Sequence, residues 1–470
     1  MKYYLKLLIS SVLVINCSPK ISLNNNQTVN DIPGNWISPY LSEEISDLSW
    51  WGMFNDTTLN EMYTIFINKN HDLNLINKQL NISDQIEKIE SSGSYPTVIF
   101  SNDVNASKNN PSSFGLSDDA FGGGSFESIN YKLNLAVQWE VDLWGKLLNA
   151  KKAAKSKNLA SIYDLKYFKF SLKTQFVKNY YQSVQSKKEY ELALEYYKSS
   201  EKIRNLVKER YEKGLRSSID LRLAESSLSR SKILLENKKI EFKSKIRSLE
   251  LLLGKYPKGS IIISNSYPTN LPLIPIGLPV DLIERRPDVQ AELKKLESKG
   301  FSLAQSKRDR LPSIFLTSSS GTSSNELKNI LSGDYSVWNI VSNISTPIFQ
   351  AGRIKSNIRI KQNEYEIAKV NYIKKVLVAF SEVENLLFIE NSLKIQSQEI
   401  MNNVEQTFAA YKLAVNRYES GISDILTVIN LQQQWINAKT EKIKIENLKI
   451  NVRLNLLLAL GGDFYNEKKE

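Results

Sequence analysis

Ile129-Asn130-Tyr131-Lys132-Leu133-Asn134-Leu135-Ala136-Val137-Gln138-Trp139-Glu140-Val141-Asp142-Leu143 has an apolar side chain at every odd position, while polar side chains fill most even ones. Alternation of period two describes a strand with one oily face and one wet face. Immediately afterwards the period changes. From Gly145 to Gly214 there are 68 residues with no Gly or Pro. Read as one helix, at ~1.5 Å per residue, this run is ~100 Å long, several times the width of a small domain.

The arrangement occurs twice. Gly145, Gly214 and Gly254 are spaced by 69 and 40 residues, and Gly352, Gly421 and Gly461 repeat those intervals. An offset of 207 pairs Tyr211 with Tyr418, Leu215 with Ile422, and the run Leu249–Gly254 with Leu456–Gly461. Upstream the offset is 216, pairing Asp72 with Asp288 and Pro96 with Pro312, so nine residues were gained or lost in an exposed loop. Each copy reads as a long helix followed by a shorter one. On the first long helix Tyr163, Phe170, Val177 and Val184 form one apolar stripe, and Leu165, Phe168, Leu172 and Phe176 form another. Ile373, Phe380 and Leu387, beside Val376 and Val383, repeat the pattern in the second copy. Two stripes call for two helical neighbours, as in a wall of helices.

The second copy of the strand reads Trp338, Ile340, Ser342, Ile344, Thr346 and Ile348 on its apolar face. Shorter partners precede each strand: Val98, Phe100, Val104 and Ala106 in one copy, Ile314 and Leu316 in the other. The intervening stretches 107–128 and 319–334 are rich in Gly, Ser, Asn and Asp, as hairpin loops are. Each copy therefore supplies one β-hairpin. A half-buried soluble sheet alternates in the same way, but the neighbouring rods are not shaped to cover its apolar face. A transmembrane β-barrel needs this alternation. Four strands cannot close alone, so the free edges predict an oligomer.

At the amino terminus Lys2 and Lys6 precede the apolar run Leu7–Ile15, which is too short to span a bilayer as a helix and reads as a secretory signal peptide. Cys17, the single cysteine, excludes internal disulfides. Its place after Val14-Ile15-Asn16 is similar to that of the lipidated, palmitate-bearing first residue of bacterial lipoproteins, although Asn16 fills a slot that usually holds a small residue.

Several motifs, in order and in register, identify the chain as similar to the TolC-type outer-membrane efflux proteins, in their lipoprotein branch. Trp139-Glu140-Val141-Asp142-Leu143-Trp144-Gly145-Lys146 resembles that branch's strand-to-helix signature. Gly277-Leu278-Pro279, with Leu282 and Arg285-Arg286-Pro287-Asp288-Val289, resembles its mid-chain signature. Pro347-Ile348-Phe349 with Gly352-Arg353, and Glu382-Val383-Glu384-Asn385, resemble its second-copy strand exit and helix motif. The resemblance implies a mainly α fold with a membrane β part. Long helices would form a barrel continuous with a twelve-stranded β-barrel in a homotrimer, with four strands from each internally duplicated protomer. It further implies an efflux exit duct in the outer membrane, anchored in that membrane's lipid, with its helices in the periplasm. Its partners would be a periplasmic adaptor (membrane fusion protein) and, through the adaptor, an inner-membrane transporter.

The expected segments are a signal peptide (1–16), a tether and equatorial segment (17–50), a first helix (51–94), a hairpin (95–143), long and short helices (144–254) and an equatorial linker (255–283). The second copy follows as a helix (284–311), a hairpin (312–349), long and short helices (350–461) and a tail (462–470).

The turns Tyr211-Glu212-Lys213-Gly214-Leu215-Arg216-Ser217 and Tyr418-Glu419-Ser420-Gly421-Ile422-Ser423-Asp424 share one form. A glycine ends one helix, and Ser217 or Asp424 is suited to cap the next. By the resemblance, these turns are the periplasmic tip where the adaptor docks. Asp220 falls where the family places a lumen-facing acid at the entrance, and Thr427 and Asn430 stand where some relatives have aspartates. A ring of carboxylates at such a place selects for cations; a solvated charge in a helix's first turn is the plain alternative for Asp220.

The net charge of +12 comes from 62 Lys and Arg against 50 Asp and Glu, but basic and acidic residues alternate along the helices, as on solvated faces rather than nucleic-acid surfaces. One histidine, His71, and one cysteine leave thiol-imidazole catalysis and Cys/His metal sites without ligands. Gly122-Gly123-Gly124 lies in a hairpin loop with no following helix, so it is not a phosphate cradle. No enzyme activity, cofactor or metal is expected. Two other readings stay open: an outer-membrane duct for protein secretion, and a lipid-anchored structural coiled-coil protein of the periplasm whose hairpins form a soluble cap.

Overall fold

Residues 33–38, 54–110, 125–268, 271, 274, 276, 277 and 279–462 are described by the computed structural model. The signal peptide, Cys17 and the loop glycines 122–124 lie outside the described residues. In order, the described elements are α1 (Thr57–Lys69), α2 (His71–Ser92), β1 (Thr97–Asn109), β2 (Phe126–Val141), α3 (Lys146–Glu212) and α4 (Ser218–Leu252). The second copy gives α5 (Pro279–Arg285), α6 (Pro287–Arg308), β3 (Ser313–Ser324), β4 (Ser336–Ser345), α7 (Arg353–Glu419) and α8 (Ile425–Ala459). The duplication is thus structural: α3 and α7 are both 67 residues long, and α4 and α8 both 35. Among the described residues no helix is long and apolar enough to cross a membrane.

Contacts divide the chain into two compact units. Among the described residues, one comprises Asn81–Ser161 and Glu292–Tyr372, and the other is drawn from Val29–Leu80, Ile162–Ala291 and Ile373–Glu470. The first contains an antiparallel sheet of order β1-β2-β3-β4. Its register places Val98, Phe100 and Val104 opposite Val137, Leu135 and Tyr131. Trp139 and Val141 face Leu316 and Ile314, and Ile314 in turn faces Ile344. The apolar positions named from the sequence therefore share one face. Phe100, Trp338, Ile340 and Ile344 are exposed on it, each by 65% or more. The opposite face pairs Ser101 with Asn134 and Asp103 with Lys132.

Four details differ from the sequence reading, the first being that 107–109 and 126–128, expected in a loop, pair as strand. The stretch 319–324, expected in a loop, is strand: Ser319, Ser320 and Gly321 pair with β2 on one side and β4 on the other. These residues have little strand preference of their own, and the ladders on both sides impose the conformation. At the other ends, β2 stops at Val141 and β4 at Ser345, short of Leu143 and Ile348. There the Asp142 carboxylate accepts from the Leu148 amide at 2.7 Å and anchors the start of α3, while the Trp144 indole donates to the Pro312 carbonyl at 2.7 Å. Finally, the helices expected over 51–94 and 284–311 are broken at Asn70 and at Arg286, the second beginning already at Pro279; the Asn70 side chain accepts from the Leu73 amide at 3.0 Å.

In the second unit Val177, Val184, Val376, Val383 and Leu387 are buried, as their stripes require. Phe66 of α1 stacks on Phe176 of α3 with ring centroids 4.5 Å apart, and the Tyr180 hydroxyl donates to Asp56 at 2.9 Å. The second stripe of α3 is not covered along its length, since Phe168 stays 48% exposed.

Candidate functional site: the helix turns

The turns at the ends of α3 and α7 are built by the same backbone device. After α3, Gly214 has φ +71°, its amide donates to the Tyr211 carbonyl at 2.9 Å, and the Leu215 amide donates to the Arg210 carbonyl at 2.8 Å. After α7, Gly421 has φ +81°, with bonds of 3.0 Å to the Tyr418 carbonyl and, from Ile422, 2.9 Å to that of Arg417. Only glycine adopts this left-handed conformation without strain, and the pattern satisfies carbonyls that a helix end leaves unpaired. The next helices begin on side-chain caps. Ser217 Oγ accepts from the Asp220 amide at 3.3 Å and an Asp424 oxygen accepts from the Thr427 amide at 2.6 Å. That bond to the Thr427 backbone holds the Asp424 carboxyl below the usual carboxylate range. Both caps are as the sequence predicts.

The four helix ends are joined by a core of Ile203, Val207, Ala224, Ala414, Tyr418, Ile425, Val428 and Ile429. The sequence gives no hint of which tyrosine of the repeat pair enters it. Tyr418 is 1% exposed, whereas Tyr211 is 42% exposed. Arg210 and Arg216 both lie against the Tyr418 ring, at 5.3 and 4.6 Å from its centroid. Arg210 also donates to the carbonyls of Tyr418 and Glu419 at 2.8 and 2.6 Å, and Arg216 to that of Ser423 at 3.3 Å. Two cations of the first turn thus clasp the second. Burial pushes the Tyr418 hydroxyl up, Arg216 pulls it down, and Asp220 acts in the same direction as burial. Cation-π contacts of this kind stabilise by about 0.5–1 kcal/mol at exposed sites and more when desolvated.

Outside this clasp the turns present apolar side chains to solvent: Leu215 (68% exposed), Ile219, Ile422 (75% exposed) and Leu426. Ile219 and Leu426 were missed in the sequence, although the 207 offset pairs them as it pairs Leu215 with Ile422. Asp220 is partly buried, while Thr427 and Asn430 are exposed.

A second constellation lies where α1 meets α2 and α5 meets α6. The Asn70 amide group donates to the Leu252 carbonyl at 2.9 Å, and at the repeat-related place Arg286 Nη1 donates to the Ala459 carbonyl at 3.2 Å. Arg286 is fully buried and pairs through Nε with Asp288 at 2.8 Å and through Nη2 with Glu382. Lys375 reaches Asp288 at 2.6 Å. Burial disfavours the Asp288 charge, but bonding by Arg286, and then by Lys375, outweighs it and holds the carboxyl below its usual range. The motif Arg286-Pro287-Asp288 is therefore a buried ionic brace.

The family described as outer membrane efflux protein matches the chain over residues 65–255 and 278–462, one stretch in each repeat. Among curated proteins, the chain is similar to the toluene efflux pump outer membrane protein TtgF of Pseudomonas putida. The two are 26% identical over 422 residues, covering 90% of this chain and 86% of the relative. It is also 25% identical to the pyoverdine export outer membrane protein OpmQ of Pseudomonas putida, over 92% of each chain. Among solved structures, the outer-membrane channel OprN aligns with a TM-score of 0.83 at 22% identity, over 93% of this chain and 98% of that one. The CmeC outer membrane channel of Campylobacter jejuni aligns with the same TM-score and identity, over 92% and 96%. At this identity the structures establish the fold.

Proposed function

The chain belongs to the outer membrane efflux protein family, and from that premise we propose that it is the passive exit duct of a tripartite efflux system, carrying small molecules from a periplasmic adaptor and inner-membrane pump to the exterior. The supporting observation is the sheet. Its order leaves the outer edges of β1 and β4 without a partner among the described residues, and one face is apolar and exposed. Edges of this kind are satisfied in a bilayer only by closure. Three copies of a four-stranded sheet, β4 of each beside β1 of the next, make a twelve-stranded barrel, wider than the eight-stranded size that side chains fill. The exposed Phe168 stripe would be covered by the same neighbours.

In this reading the turns at Gly214 and Gly421 are the periplasmic end, Leu215, Ile219, Ile422 and Leu426 dock the adaptor, and Asp220, Thr427 and Asn430 line the entrance. Cys17 carries a lipid anchor. The pump supplies the energy and the chain performs no chemistry.

Purified protein should migrate as a heat-sensitive trimer and give discrete single-channel conductance in planar bilayers. A detergent-independent monomer without conductance would overturn the duct. Bulky residues at Gly214 and Gly421, or Leu215→Asp with Ile422→Asp, should reduce adaptor-dependent export by about tenfold, the scale of losing an interface anchor, while trimers persist; undiminished export would remove docking from these turns. Cys17→Ser should abolish acylation, and continued lipid labelling would refute the anchor.

A further inference from the structure

In the second unit, α7, α8, Lys188 of α3 and the linker residues Ser266, Tyr267, Pro268 and Leu271 line a cavity of about 580 Å³. This is within the range of small-molecule sites. Leu393, Ile445 and Ile450 supply its apolar wall, and all three are buried. Glu390 and Arg453, also buried, form an ion pair in its lining. The second oxygen of Glu390, Oε2, has no donor among the described residues. Lys394, Lys442 and Lys449 of α7 and α8 also line it, beside Lys188 of α3. None of the three has an ion-pair partner among the described residues, although Lys449 donates to Ser397. Glu446 is the one further carboxylate of the lining, so cations are in excess.

The internal repeat does not carry the same set of side chains at the related place. At the 207 offset, Lys449 and Ser397 correspond to Phe242 and Tyr190, Lys442 to Leu235, and Glu390 and Arg453 to Ser183 and Ile246. In the first repeat Tyr190 and Phe242 stack with centroids 6.0 Å apart, and Ile246 is buried. At Tyr190, Leu235, Phe242 and Ile246 the first repeat thus has rings and aliphatic groups where the second has Ser397, Lys442, Lys449 and Arg453, while Lys394 answers to Lys187, and Ile445 and Ile450 answer to Lys238 and Lys243. The two repeats therefore place their cations on different sides of this volume, and a departure of this kind from the repeat pattern is a mark of function.

We propose that this cavity binds an anionic amphiphile, a carboxylate or sulfate on an alkyl chain, with the chain against Leu393, Ile445 and Ile450 and the head group among Lys394, Lys442 and Lys449. The ligand is distinct from transported cargo in that the site lies among α7, α8, Lys188 of α3 and the linker between α4 and α5, and needs neither the strands nor the turns.

The test uses the full chain in lipid nanodiscs free of detergent, with decanoate as probe and titration calorimetry as readout. Wild-type protein binds decanoate saturably, once per chain, and binds uncharged 1-decanol about tenfold more weakly. The double charge reversal Lys394→Glu with Lys442→Glu weakens decanoate binding by about tenfold or more. Ser397→Tyr with Lys449→Phe, which imports the stack of the first repeat, abolishes binding while leaving oligomer migration and thermal stability intact. The proposal is overturned by an absence of saturable decanoate binding to the wild type, by equal binding of decanol, or by undiminished binding in the charge-reversed or filled protein. The first of these outcomes is expected if a segment of this chain or a sister subunit already occupies the cavity.

Discussion

The turns and the helix-end braces use the same residue for different physical reasons. Gly214 and Gly421 at the turns, and Gly254 and Gly461 at the ends of the short helices, all have positive φ. A Cβ at Gly214 or Gly421 would meet nothing within 4 Å. At Gly254 it would lie 2.8 Å from the Lys69 carbonyl oxygen, and at Gly461 3.0 Å from that of Arg285. The turn glycines reverse the chain; the others also allow two backbones to touch. The turns are held by side chains, chiefly two arginines around Tyr418. The braces are locked by backbone contact and, in the second repeat, by buried charge. Closure held by side chains at an exposed chain reversal opens at lower cost than closure locked by backbone contact in the interior.

The largest effect should come from the charged brace. Arg286→Ala removes the buried cation shared by Asp288 and Glu382, leaving Asp288 to Lys375 alone, and should lower stability by about 3–5 kcal/mol. Asn70→Ala at the related neutral brace should cost about 1–3 kcal/mol. Guanidinium unfolding followed by circular dichroism would compare them, and equal losses would show that the ionic network adds nothing. Gly254→Ala or Gly461→Ala should follow at about 2–4 kcal/mol, combining left-handed strain with overpacking. The same change at Gly214 or Gly421 should cost about 1–2 kcal/mol, from strain alone. If all four glycines responded alike, the distinction between turning and touching would fail.

The brace also carries a pH signature. In the fold Asp288 keeps its charge to lower pH than in the unfolded chain, so its contribution is complete above the ordinary value of 3.8 and fades as pH falls below it. Melting curves on an acid series should show this loss in wild type and a shallower one in Asp288→Asn. A smaller effect is expected at the turns. Arg216→Ala, which removes one face of the Tyr418 clasp, should cost about 0.5–1 kcal/mol. Asp424→Ala or Ser217→Ala should each cost about 1 kcal/mol as lost caps. Native-state hydrogen exchange at the turns would resolve such differences, since local opening there should increase while the braces stay protected.

Much of this molecule is readable from its sequence wherever the information is local and periodic. The strand faces, the lengths of α3 and α7 and the caps at Ser217 and Asp424 depend on side chains two to four positions apart. Ser319–Ser324 defied such reading because two neighbouring ladders make it a strand. The break at Asn70 did so because its amide group bonds to Leu252, 182 residues away. Ile219 and Leu426 lay within the repeat pattern, yet their exposure depends on what the other helices leave uncovered.

Taken alone, then, the sequence determined that the chain is duplicated, where its helices begin and reverse, and which strand face is apolar, because backbone preference and hydrophobic period act over a few residues. The tertiary structure decided that Tyr418 is buried while Tyr211 is not, that Arg286 is fully enclosed, and that one repeat opens a lysine-lined cavity where the other stacks two rings. Such outcomes depend on groups 60 to more than 200 residues apart sharing one packed volume, for example Arg453 with Glu390 or Arg210 with Tyr418. Related positions in the two repeats carry similar local signals, and only the three-dimensional surroundings distinguish them.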